Sequence, residues 1–132
     1  MNTKLIMVSS SIFLGVVGIG LTFFLQEISK VLDFETDILI ILFSQIVGSL
    51  YLGFATLNWM SRNTIIGGIY GKPLTIGNLI HFLVSFFALF KILPITSNHF
   101  QLLFATAVIY GILTLAFGYL MILHPKKIFK KI

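Results

Sequence analysis

The run ILIILFSQIVGSLYLGFATLNWM, Ile38 to Met60, goes 23 residues without an Asp, Glu, Lys or Arg. As a helix rising ~1.5 Å per residue it reaches about 34 Å, enough to cross the ~30 Å hydrocarbon layer of a bilayer. Leu5 to Gln26, roughly Leu74 to Ile95, and Leu102 to His124 read the same way, each 22 or 23 residues long. Lipid offers no water to unpaired backbone groups, so these runs must be helices. The pattern predicts an all-α, four-transmembrane-helix bundle forming a single integral membrane domain over residues 1–132, with helices at approximately 5–26, 38–60, 74–95 and 102–124.

Composition agrees. Hydrophobic residues make up 58% of the chain, charged residues 10%, and the mean hydropathy is +1.05; these values lie outside the soluble class. A chain of 132 residues cannot bury four such helices in its own core, so lipid must do the burying. With no cysteine, disulfides, thiolate metal sites and thiol chemistry are excluded. The first apolar run exceeds a usual signal-peptide core and no small-x-small cleavage site follows it, so it is expected to stay as a span.

Charge placement predicts orientation. Lys4 precedes the first helix, Arg62 and Lys72 lie between the second and third, and Lys126, Lys127, Lys130 and Lys131 follow the fourth. Glu27, Asp33, Glu35 and Asp37 all fall after the first helix. The positive-inside rule then puts both termini and the middle loop in the cytoplasm. The net charge of +5 is thereby accounted for without nucleic acid. Membrane lipids are the expected partners, and the closing HPKKIFKK, with Phe129 among lysines, suits anionic head groups.

Short connections predict adjacent, antiparallel neighbours. In EISKVLDFETD, Glu27 to Asp37, the spacing of Ile28, Val31 and Leu32 predicts a short amphipathic segment on the outer surface. Positions 63 residues apart align GSLYLGFA (Gly48 to Ala55) with GILTLAFG (Gly111 to Gly118), and TFFL with SFFA, which suggests a duplicated helical hairpin with its axis along the membrane normal. Helices in lipid meet through small residues. Ser11, Gly15, Gly18 and Thr22 form one such stripe, and Ala107, Gly111, Thr114 and Gly118 another, serving inward packing or a homo-oligomer seam. The fourteen Phe read as lipid-facing or core residues.

The spans hold no acidic residue, and Lys91 is close enough to the end of its helix to snorkel. A proton- or cation-coupled carrier normally needs an intramembrane carboxylate, so that class is disfavoured. No Ser–His–acid set and no metal-ligand spacing occurs, so neither catalytic residues nor a metal or other cofactor is expected.

What remains is a polar set. On the second helix Gln45, Ser49 and Thr56 share one face, and Tyr51, Asn58 and Arg62 another; on the third, Asn78, His81 and Ser85 share a stripe. Asn58 and Arg62 come to the same depth as Asn78 and His81, and the four are expected to meet. They either lock the two helices together by mutual hydrogen bonds or line a pocket in which Arg62 engages a head group, carboxylate or phosphate, with Trp59 as an apolar wall. Gln45, deep in its helix, is expected to face the bundle interior. The connecting loop offers Gly67, Gly68 and Gly71 for turns with positive φ and Pro73 at a first helical position. Its Ile65, Ile66, Ile69 and Tyr70 suit the membrane interface, with Trp59 and Tyr70 as belt aromatics.

The layout, with LYLGFATLNWMSRNTIIGGIYGKPLTIGNLIHF (Leu50 to Phe82), resembles small bacterial inner-membrane proteins of the DoxX-like kind. That resemblance implies a four-helix bundle and partnership with redox or envelope proteins; it carries over no functional residue. Three functions are open. The first is a non-enzymatic membrane protein binding a lipid or small hydrophobic ligand at the cytoplasmic ends of helices two and three. The others are an accessory or scaffold subunit of an envelope complex, and a small transporter or membrane enzyme using His81 as acid or base.

Overall fold

The computed structural model describes residues 3–64, 71–95 and 99–123. Four long helices carry the chain: α1 (Thr3–Phe23), α3 (Ile38–Met60), α4 (Gly71–Ile92) and α5 (Phe100–Leu123), with the short α2 (Leu25–Val31) between the first two. No strand occurs among the described residues. All four long helices are long and apolar enough to cross a membrane, and the chain is a multi-pass integral membrane protein.

Local chemistry, not hydropathy, sets the helix ends. The expected first span, Leu5 to Gln26, is interrupted at Phe24 (φ −118°, ψ 20°), and Leu25 and Gln26 belong to α2. Leu25 and Ser29 are buried, while Val31 is 80% exposed. Helix α2 closes where Phe34 N–H donates to Ser29 O (3.1 Å) and Asp33 takes φ 50°, the left-handed cap geometry that Asp adopts at less cost than most residues. Asp37 then starts α3, its carboxylate accepting from Ile40 N–H at 2.8 Å, which satisfies one of the donors a helix start leaves open. Helix α4 stops at Ile92 rather than Ile95, because Pro94 disfavours helical backbone at Leu93. Gly71 opens α4 and shows no positive φ, contrary to the turn expected there, because Thr75 Oγ1 donates to its carbonyl at 2.8 Å within the first helical turn. Pro73 accordingly lies within that turn, two residues past its described start, where a missing N–H costs nothing. Gly67, Gly68, the interface group Ile65, Ile66, Ile69 and Tyr70, and the lysine-rich end from His124 onward lie outside the described residues.

The chain divides into two compact units, Met7–Arg62 and Asn63–Ile132 with Met1–Ile6. In the first, α1 and α3 pack antiparallel through small residues. A Cβ on Gly18 would stand 3.0 Å from Gly48 O and Leu52 N, and one on Gly48 would stand 3.0 Å from Gly18 O and Thr22 N and collide with Thr22 Oγ1. Both glycines are buried. Further along, a Cβ on Gly15 would lie 3.8 Å from Ala55 Cβ, and Ser11 Oγ donates to Ala55 O at 2.7 Å. The whole stripe Ser11, Gly15, Gly18 and Thr22 is thus spent on α3 within the chain.

The second unit packs α4 antiparallel against α5 with aromatics. Phe82 and Phe117, both fully buried, stack at 5.5 Å, and Tyr110 meets Phe82 edge-on at 5.7 Å; such pairs contribute about 0.5–1.5 kcal/mol each beyond area burial. Gly111 and Gly118 seat Phe86 and Leu79 of α4. The two glycines that the 63-residue offset aligns, Gly48 and Gly111, both lie on the inner face of their helix pair. Their partners differ, backbone in one pair and a Phe ring in the other.

Backbone contact tolerates no added methyl. Gly48→Ala should lower unfolding stability by about 1–3 kcal/mol through overpacking, whereas Gly118→Ala, whose Cβ would sit at an ordinary 3.9 Å from Leu79 Cδ1, should be neutral or stabilising. Thermal unfolding in detergent checks this, and equal midpoints for the two variants would contradict the close approach.

Candidate functional site

Asn58 is fully buried on α3. Its Nδ2 donates to Ser10 Oγ at 3.0 Å, and Ser10 Oγ donates in turn to Met7 O at 3.0 Å. The relay crosses from α3 to α1 one helical turn from the Ser11–Ala55 bond, so two polar links cross the same contact. Gly18 and Gly48 make this geometry available by bringing the backbones together two turns away. Buried amides need partners, and here Ser10 supplies one. Ser10 was not among the expected site residues; the signal was the run Ser9, Ser10, Ser11, of which the small-residue stripe accounts for only the last.

Trp59 and Arg62 form a second feature. The Arg62 guanidinium lies 4.3 Å from the centre of the Trp59 ring, and Nη1 donates to Trp59 O at 2.6 Å. Arg62 sits in a 3₁₀ turn, Ser61–Asn63, that continues α3, so its charge also faces the negative end of that helix. Trp59 remains 47% exposed, and Arg62 is half-buried. All four acidic residues of the chain lie between Glu27 and Asp37, at the opposite end of α3. Along that helix Asp37 and Arg62 are about 35 Å apart. No carboxylate of this unit reaches the guanidinium.

Asn78 and His81 lie on α4, in the other unit. Asn78, fully buried, donates from Nδ2 to Leu74 O at 2.9 Å. His81 packs with Phe82 at 5.1 Å and Tyr110 at 6.1 Å between ring centres. Tyr110 is a neighbour that residue spacing does not single out. Asn58 is thus tied to Ser10 of α1, Trp59 and Arg62 pack on each other, Asn78 donates to its own helix, and His81 packs among rings.

Gln45 is a correction. Expected to face inward, it is exposed. The face of α3 that meets α1 is built on Gly48, Ala55 and Asn58, the positions where close backbone approach and a hydrogen bond are both available, and Gln45 lies outside it. Ser49 and Thr56, on the Gln45 side, are exposed as well. Among the described residues no three His, Cys, Asp or Glu side chains gather in a metal-binding group. Comparison with protein families, curated proteins and solved structures finds no match.

If the relay holds α1 to α3, Ser10→Ala should destabilise the protein by about 1 kcal/mol or more, since it removes a buried acceptor. A double-mutant cycle with Asn58→Ala should return a coupling near 0.6 kcal/mol, the usual size for interhelical bonds in membranes. Strict additivity in detergent unfolding would contradict the link.

Proposed function

We propose that this is a non-enzymatic membrane protein, of the bacterial inner-membrane kind its layout resembles, that binds the anionic head group of a lipid at the Trp59–Arg62 end of α3, with that end and both termini on the cytoplasmic side. One observation carries the proposal: a guanidinium held in place by its stack on Trp59 and its bond to Trp59 O, with every acid of the chain near the far end of the helix. Arg presents a planar fork of donors suited to phosphate, and the bond to Trp59 O engages only one of them. Trp belongs at the depth of lipid head groups, so the pair would meet phosphate and glycerol where a bilayer holds them. The rigid stack lowers the ordering cost of binding. Asn58, committed to Ser10, supports the end of α3 from behind.

Native mass spectrometry of the full chain with added phosphatidylglycerol or phosphatidylcholine tests this. Arg62→Ala should reduce retention of phosphatidylglycerol about fivefold, as expected for a basic residue contributing on the order of 1 kcal/mol at a membrane surface. Arg62→Lys should restore only part, and phosphatidylcholine should be unaffected. Equal phosphatidylglycerol retention by the parent protein and Arg62→Ala would remove the proposal.

A further inference from the structure

On α3, Gln45, Ser49, Gly53 and Thr56 follow one another at four, four and three residues and share one face. All four are exposed. A Cβ on Gly53 would meet nothing within 4 Å. The hydroxyls of Ser49 and Thr56 donate to Ile46 O and Leu52 O of their own helix, at 2.7 and 2.9 Å, so they ask nothing of a neighbour. Gln45 differs. Its carboxamide makes no hydrogen bond to any described residue. It sits about 6 Å from the midpoint of α3, a depth at which hydrocarbon supplies neither donor nor acceptor. An amide left so is costly.

We propose that this face is the seam of a parallel homodimer in which the Gln45 carboxamides of two copies pair across a two-fold axis. Copies inserted in the same sense carry Gln45 at the same depth, and an isologous contact sets it against itself. A carboxamide holds two donors and an acceptor, so two of them satisfy each other, which a carboxylate or ammonium pair does not. One and two turns further on, Ser49 and Gly53 leave the surface low enough for the backbones to approach. Leu42 and Met60, 50% and 70% exposed, flank the stripe and give the seam an apolar rim. The same chain already joins α1 to α3 through small residues and a side-chain hydrogen bond, so the seam asks for no new kind of contact.

Since the chain has no cysteine, single cysteines report on this directly. The full chain is reconstituted in lipid vesicles as Ser49→Cys, Phe43→Cys or Leu50→Cys and oxidised; Phe43 and Leu50 are 62% and 60% exposed and lie off the stripe. Ser49→Cys should give the covalent dimer and the two controls should not. In energy-transfer titrations Gln45→Leu, which suits lipid and should not disturb folding, should weaken association by roughly three- to tenfold, the scale of interhelical hydrogen bonds, and Gly53→Leu should abolish it. Equal crosslinking at all three positions, unchanged association of Gln45→Leu, or a chain that stays monomeric at the highest protein-to-lipid ratio would overturn the proposal. So would Ser49→Cys adducts in cell membranes whose mass is not twice that of the chain.

Discussion

Two helix backbones touch at Gly18 and Gly48, and the rest of the first unit is arranged around that contact. Lipid gives helices no hydrophobic reason to associate, since a neighbouring Leu and a lipid tail are equally apolar. Association must come from close packing and from hydrogen bonds, and both need short distances. Removing two side chains at one crossing supplies them. With the backbones brought together there, Ser11 reaches Ala55 O and Asn58 reaches Ser10, bonds that a bulkier contact would hold out of range.

The second unit solves the same problem differently. Phe82, Phe117 and Tyr110 fill the space between α4 and α5, and Gly111 makes room for Phe86 rather than for a backbone. Ring packing fills this contact where the first unit has touching backbones. The amide of Asn78 and the hydroxyl of Thr75 donate within α4 itself. A backbone-to-backbone contact tied by polar relays and a ring-filled contact have different tolerances: the first should resist any added volume, the second should accept conservative apolar exchange.

Hydropathy and helix length were enough to find the four spans, because a bilayer imposes one length on every crossing helix. The stripe Ser11, Gly15, Gly18 and Thr22 was equally readable, since spacing places it on one face, although only the structure shows that the face is used within the chain. Helix ends were less accessible; the break at Phe24 and the stop before Pro94 depend on backbone preferences that an apolar window does not weigh. Gln45 shows where inference from cost fails. Expense in hydrocarbon says that an amide needs a partner, but not which molecule supplies it, and the positions that fit α1 were already taken by Gly48, Ala55 and Asn58. Ser10 shows the converse. Asn58 donates to Ser10 of the first helix, a partner set by the glycine crossing and invisible to residue spacing.

Everything said of α3, its inner relay, its capped Arg62 and its outward Gln45, depends on which face it turns to α1. That facing can be measured in native membranes with Gly15→Cys paired with Ala55→Cys, since a Cβ on Gly15 would lie 3.8 Å from Ala55 Cβ, within the range a disulfide requires. The account predicts a spontaneous intramolecular disulfide in that pair and none when Gly15→Cys is combined with Leu57→Cys, a position that is 51% exposed. Comparable bridging in the two pairs, or bridging only in the second, would contradict it.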